Sequence, residues 1–499
     1  MVTVKPLTVH WHQDSAPIYS AAFQPGDYPL PVNHSARFAT GGGDNNVRVW
    51  RLKTPAEPDE PPQVEYLATL AKHEGAVNAV RFNKQGTALA SAGDDGVVCL
   101  WVPTNQDRAT QFGNDFEDLE TWRILKKCRS ASFGEIYDLA WSPSGRFLAA
   151  TSMDKVVSIL DTVEGTCVAA LRDHKHYVQG VAWDPRGEFL ATQSSDQSVL
   201  IYRIKNTHDK IQLGQPMLRM ERTEFGDKLL QFHSESFSSF FRRLSFSPDG
   251  SLLVVPAGLI KEKKDKETKA TTNEPENVAA EKNAFPTPQE INSAESTKMD
   301  LGAKPEAKPE TDGDIKSDVL NCVFIYARGN FKQPQAMLPL PKESLAVHFN
   351  PVAFTLRGEN PVVKLPYRLV YAVATLNGVF LYDTERLVPL GMMGNLHYSS
   401  ITDLAWSPDG RMLLITSIDG FCSVLRLDKE ELGTPYEGTV GTQVEETALK
   451  IEVPTETPQI NTLAVRKKSK LPVEDQKNAG SDKSETSIAT GSASGPHSS

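Results

Sequence analysis

From His73 to Trp101 the chain reads HEGAVNAVRFNKQGTALASAGDDGVVCLW, three short apolar runs separated by turn residues. Val77, Ala79 and the Val80/Phe82 pair make the first run. Lys84-Gln85-Gly86 turns into Leu89-Ala90-Ser91, and Asp94-Asp95-Gly96 turns into the run from Val97 to Trp101. Alternating apolar runs broken by Gly and Asp are a hairpin signal. Four side chains hold fixed places on this frame: His73 before the first strand, Ser91 in the second, Asp95 in the turn after it, and Trp101 at the end of the third. In one sheet they can form a chain in which Asp95 accepts from His73, His73 reaches Ser91, and Ser91 reaches the indole N–H of Trp101. Buried polar groups need such partners. The arrangement recurs along the chain, and a unit with one flat apolar face must stack on its neighbours to be stable.

This pattern resembles the WD40 repeat, the unit of β-propellers, which returns about every 40–45 residues. Seven units can be read. In the first, His12, Thr40, Asp44 and Trp50 occupy the four places. The second is the stretch above. The third keeps Asp154, with Ser132 near the His place and Leu160 in place of Trp; the fourth keeps His174, Thr192 and Asp196, with Tyr202 as its aromatic. The fifth opens as SFSSFFRRLSFSPDGSLLVVPAG (236–258), and its third strand, NCVFIYAR (321–328), follows a long interruption. The sixth keeps the strand pattern without the His and Asp. The seventh places His397, Thr416 and Asp419, with Leu425 at the Trp position. The alternation over residues 2–10 predicts a lone strand that completes the last blade and closes the ring.

The fold expected is therefore all-β, a seven-bladed WD40 β-propeller with a disordered insertion in blade 5 and a disordered C-terminal tail. Its parts are blades 1 to 5 (first part) over 1–260, the insertion over 261–317, the rest of blade 5 to blade 7 over 318–436, and the tail over 437–499. The insertion is rich in Lys, Glu, Ala, Thr and Pro with a single aromatic, Phe285, and the tail has no aromatic after Tyr436. Such composition cannot bury enough apolar surface to order itself. Doubling a loop of this kind costs only about 0.6 kcal/mol, so the blade can carry it.

Several function classes are excluded. His, Asp and Ser recur together, but at the same structural place in several blades and beside a core aromatic, which is a packing role and not a catalytic triad. No Gly-x-Ser-x-Gly elbow, His-Glu-x-x-His helix or kinase set is present. Gly41-Gly42-Gly43 lies between two strands with no Lys-Ser/Thr after it, so it is a turn and not a phosphate loop. Five scattered cysteines (99, 128, 167, 322, 422) read as reduced thiols, with no zinc spacing and no cofactor implied. No run approaches a membrane span and the N-terminus has no signal architecture. The net charge of -10 disfavours strong direct binding to nucleic acid and suits a basic partner.

Five further phrases, HKHYVQGVAWDP (174–185), the 236–258 stretch, LPYRLVYAVATLNGVFLYDT (365–384), HYSSITDLAWS (397–407) and DKEELGTP (428–435), resemble the WD40 middle-subunit family of chromatin assembly factor 1, with FFRRLSF and LPYRLV the most specific. WHQDSAPIYSAAFQ at the start is similar to that family as well. The resemblance implies a non-enzymatic nuclear scaffold in a histone chaperone that deposits histones H3 and H4 on newly replicated DNA. It implies as partners the large and small subunits of that factor, the histones themselves, and the anti-silencing histone chaperone. For the last, the candidate is the basic run at Arg466, Lys467, Lys468 and Leu471, which departs from the family's Arg-rich, Ile-containing form. For the large subunit the candidates are Phe240, Phe241, Arg242 and Arg243 together with Tyr367 and Arg368, read as two exposed aromatics with an Arg pair. Tyr137 and Tyr177, early in first strands, are expected near the same rim. Two rival readings are a replication-independent histone chaperone of the HIRA type, which carries a second large domain, and a cullin ligase substrate receptor, whose Trp-Asp-x-Arg blade ends this chain lacks.

Overall fold

A computed structural model describes residues 3–7, 11–26, 35–53, 62–104, 118–207, 210–221, 230–261 and 319–441. The insertion and tail, including Arg466, Lys467, Lys468 and Leu471, lie outside the described residues, although the described chain runs on to Gly441. Among the described residues the strands form seven antiparallel sheets, over 18–70, 77–129, 136–171, 178–220, 245–340, 344–394 and 401–426, each a meander of neighbours in sequence except that in the fourth both Lys210–Leu213 and Leu218–Met220 pair with Ser198–Thr207. The seventh lacks an outer strand of its own. Thr3–Leu7 supplies it, pairing Thr3 with Arg426 and Leu7 with Cys422. The two ends of the propeller are thereby hydrogen-bonded into one blade, and the ring is closed as the sequence predicts.

Burial explains why these segments are strands. Inner and middle strands are buried on both faces, as in Phe147–Ser152 and Met412–Ser417, because each sheet is covered by a blade on either side. Outer strands alternate: Thr166–Leu171 shows every second side chain to solvent, the period of a half-covered strand. The buried apolar residues fall into seven clusters, one at each junction between neighbouring blades. The cluster of Trp11, Phe38, Trp50, Leu414 and Val424 joins the first blade to the seventh. Every blade therefore depends on two neighbours, which is how units unstable alone make a stable ring.

The turns follow their chemistry. In Ser407-Pro-Asp-Gly410 the Ser407 hydroxyl accepts from the Met412 amide at 2.9 Å, and Gly410 takes φ 69°. A Cβ on Gly410 would stand 2.2 Å from Asn350 Oδ1 in the neighbouring blade. Only glycine fits there.

After its last strand the chain turns through a short helix, Lys429–Leu432, capped by Asp428 and Glu431. It then runs under blade 6, where the Thr355 amide donates to the Thr434 carbonyl and the Tyr436 amide to the Ala353 carbonyl. Leu432 is buried with the apolar cluster of blades 6 and 7. Residues 428–441 are thus a strap across the face that carries the turns between first and second strands.

Candidate functional site

The polar chains inside the blades form as expected in two of them. His12 meets Asp44 at 2.6 Å and Thr40 at 3.0 Å, and the Trp50 indole donates to Thr40 at 2.9 Å. His73 meets Asp95 at 2.8 Å and Ser91 at 2.7 Å, and Trp101 donates to Ser91 at 2.8 Å. His174 meets Asp196 and Thr192 in the same way, while the Tyr202 hydroxyl goes to Asp173. Burial pushes the Asp44 carboxyl up, but the hydrogen bond and charge of His12 overcome it and hold it well below the usual carboxylate range. These groups are structural.

Two members of the expected set are corrected. Asp154 is exposed and meets no imidazole among the described residues; the hydroxyls of Ser132 and Ser152 pair at 3.1 Å instead. In blade 7, Thr416 is one residue out of register. Leu404 lies opposite Ile415 just as Val80 lies opposite Ser91, so Ile415 holds the place of the hydroxyl. A shift of one residue turns a strand side chain to the other face. Thr416 accordingly meets Thr402 at 2.8 Å, and His397, although paired with Asp419, leaves Nε2 without a hydrogen bond among the described residues.

The FFRRLSF phrase does not present an exposed Arg pair. Phe240 is 68% exposed, whereas Phe241, Arg242 and Arg243 are buried. The reason is position: the segment is the innermost strand of blade 5, at the propeller axis, where both faces are covered. Arg243 sends its guanidinium across the axis to the carbonyls of Thr402 (2.7 Å), Asn78 (2.8 Å) and Tyr19 (3.1 Å). It also pairs with Asp403 at 3.2 Å and Asp138 at 3.7 Å. Its backbone exchanges hydrogen bonds with Leu345 and Val347, and the Arg242 amide donates to the Gln179 carbonyl. Through this one dipeptide, blade 5 is bonded to all six other blades. Arg81 completes the plug, reaching Asp403 at 3.0 Å, Asp138 at 3.1 Å and Ser20 at 2.8 Å, with His348 on the other Asp403 oxygen at 3.2 Å. Two guanidinium groups balance two carboxylates, as buried charges require. Burial alone would raise the Asp403 carboxyl; Arg243 and Arg81 beside it hold it well below its ordinary range.

LPYRLV is also turned inward. Tyr367 and Arg368 are buried on the opposite face from Phe240, because they lead into the second strand of blade 6, which starts at that face. The Tyr367 hydroxyl donates to Asp249 at 2.8 Å. Arg368 pairs with Asp383 at 2.9 Å and donates to the Leu432 carbonyl of the strap, while Arg357 binds the carbonyls of Glu430 and Glu431. LPYRLV and DKEELGTP, two phrases far apart in the sequence, are therefore two halves of one clamp.

Exposed large apolar side chains are spread over the described residues, with Leu125, Val168 and Leu390 on outer strands, and a further set lies on the rim that carries the segments leading into each blade and the turns between second and third strands. Phe133, Phe240, Tyr398, Ile418 and Phe421 all project there. Near the axis this rim holds a cleft of about 130 Å³ lined by Tyr19, Asn78, Asp94, Glu135, Tyr137, Phe240 and Phe241. Of the expected residues it gathers Phe240, Phe241 and Tyr137; Tyr177 stands half-buried against His176 where the chain leads into the next blade. Asn78 donates to Asp94 at 2.7 Å and the Tyr137 hydroxyl to Glu135 at 3.3 Å. Burial, with Asp94 next, raises the Tyr19 hydroxyl pKa; burial, with Glu135 next, raises that of Tyr137.

Sequence reasoning missed the axial plug. A signal was present: Asp138 and Asp403 stand third in IYDLAW and ITDLAW, and Arg81 fifth in VNAVRF, charges inside otherwise apolar strands. It missed Tyr19, Asp94 and Glu135 for a different reason, since each is unremarkable within its own repeat.

Comparison with known proteins agrees with this architecture. A family described as the CAF1B/HIR1 beta-propeller domain matches residues 2–294 and 305–432. The chain is 35% identical to the B-type subunit of chromatin assembly factor 1 from Saccharomyces cerevisiae, over 85% of this chain and 86% of that one. It is also 35% identical to the same-named protein of Gallus gallus, over 86% of this chain and 68% of that one. Protein HIR1 of Candida albicans is more distant, 24% identical over 82% of this chain and 41% of its own length. The chain belongs to the CAF1B/HIR1 β-propeller family, and within it stands with the B-type subunits of chromatin assembly factor 1.

Proposed function

We propose that this chain is the non-enzymatic propeller scaffold of a nuclear chromatin assembly factor 1, a histone chaperone that helps deposit H3 and H4 on newly replicated DNA. The observation that carries the reading is the match to subunits of that factor along most of the chain. The geometry supports it: His, Asp and Ser are consumed in blade networks, the guanidinium pairs are consumed in the axis and the strap, and five exposed apolar groups share one rim. That rim, with Phe240 at its centre, is where the large subunit would dock. The acidic balance of the chain complements basic histones. The basic run at 466–471 is kept as the contact for the anti-silencing chaperone.

The test is capture of the tagged chain from nuclear extract in moderate salt, with bound proteins identified by mass spectrometry. A large charged subunit, a second WD40 protein and H3 and H4 are expected. A cullin adaptor without histones would overturn the reading and leave the fold standing.

A further inference from the structure

We infer that the cleft at the mouth of the axis, between Asp94, Glu135 and the rings of Tyr19, Tyr137 and Phe240, receives one arginine or lysine side chain of a basic peptide. This rests on the scaffold reading and names the chemistry of one partner.

The seven lining residues include two carboxylates and no cation. One oxygen of each carboxylate is engaged, Asp94 Oδ1 by Asn78 and Glu135 Oε2 by Tyr137; among the described residues no hydrogen bond takes the other oxygen of either. The floor adds no net charge, because Arg81 and Arg243 are balanced there by Asp138 and Asp403. The site therefore faces solvent with two negative charges backed by aromatic rings. A cation gains from both, by charge-assisted hydrogen bonds and by the ring faces. The floor shows this preference already in use: the Arg243 guanidinium lies 4.1 Å over the Phe241 ring from the axial side. A volume of about 130 Å³ is well below the roughly 300 Å³ at which small-molecule pockets begin, and suits a single side-chain head. Phosphate groups are repelled by the same carboxylates, which sets a nucleic acid aside. Phe240 at the lip, 68% exposed, gives apolar cover to the residues flanking the inserted one.

The experiment uses the full chain and fluorescence anisotropy. The probe is a fluorescein-labelled peptide of alternating Gly-Arg and Gly-Lys dipeptides, with a Gly-Gln and Gly-Ser peptide as control. Asp94→Asn with Glu135→Gln is compared with Glu164→Gln and Glu359→Gln, two exposed carboxylates away from the cleft that change the net charge equally. The cleft pair is expected to weaken binding roughly tenfold or more, the distant pair less than about twofold. Phe240→Ser, which leaves every charge in place, is expected to weaken it as well. Equal weakening by both charge pairs would mean diffuse acidic attraction only and would overturn the inference, as would no weakening by either. Recovery of the large subunit on the wild-type chain is scored separately. Its failure would sink the scaffold reading, whereas unchanged peptide binding by the cleft pair would sink this inference alone.

Discussion

Replacing Arg243 with Met keeps an unbranched apolar stem and removes the guanidinium, with its charge, from the propeller axis. Arg243 is 1% exposed, so nothing from solvent can substitute for it. Asp403, itself 0% exposed, would keep Arg81 as its one close guanidinium, and the plug would carry an unbalanced negative charge. Breaking a buried ion pair by removing one partner costs about 3–5 kcal/mol. The carbonyls of Thr402, Asn78 and Tyr19 lose their donor together, which places Arg243→Met toward the upper end of that range. Against the total of about 5–15 kcal/mol that most native proteins hold, this is a large share. Asp403→Asn added to Arg243→Met restores neutrality and is expected to recover about 2 kcal/mol, a coupling typical of contacting buried groups. Guanidinium unfolding followed by fluorescence, read as the midpoint and slope of each member of the cycle, measures both figures. A loss under about 1 kcal/mol for Arg243→Met, or strict additivity in the double variant, would refute the view that this residue staples the blades.

Other outcomes follow from the same contacts. Ser91→Ala strands the His73 ring and the Trp101 indole, at about 1–3 kcal/mol for each unsatisfied group, whereas Thr416→Ala costs less because no imidazole depends on it; melting temperatures rank the two. Arg368→Ala frees the strap at Leu432 and leaves Asp383 without its guanidinium, so limited proteolysis should cut within 428–441 far sooner than in the wild type. The pH dependence has a definite sign. Burial lowers the pKa of His12, His233 and His397 below the ordinary 6.5, so their folded forms resist protonation and stability falls as pH drops below about 6.5. Asp403 is held below its ordinary 3.8, so its contribution is present above that value and is lost as pH falls through its depressed folded value. A melting temperature that rises as pH falls from 7 to 5 would contradict the histidine assignment, and one that rises as pH falls from 4 to 2 would contradict that of Asp403.

How far the sequence could be read depended on the range of the interaction. Hairpins, turns and the His–Ser–Trp chains are set within one repeat, and the interval between His73 and Ser91 recurs between His174 and Thr192. Those features were legible, as was the closing strand, whose alternation had no partner nearby in sequence. The axial plug was not. Ser20 donates to Asp403 across a separation of 383 residues, and such a pair leaves no local periodicity. FFRRLSF misled for the same reason. Aromatic and arginine residues are the usual anchors of an interface, but at the axis of a closed ring they are surrounded by the chain's own blades. Thr416 shows the smallest error of this kind, one position along a strand that turned a polar partner into a residue of the opposite face.

The docking rim is tested most directly through the yield of large subunit recovered on Phe240→Ser relative to wild type, at equal amounts of folded chain. A lone exposed side chain contributes within about 0.5 kcal/mol to stability, so the variant should melt as the wild type does while its recovery of the subunit falls sharply. Full recovery on Phe240→Ser would contradict the assignment of this rim as the docking surface.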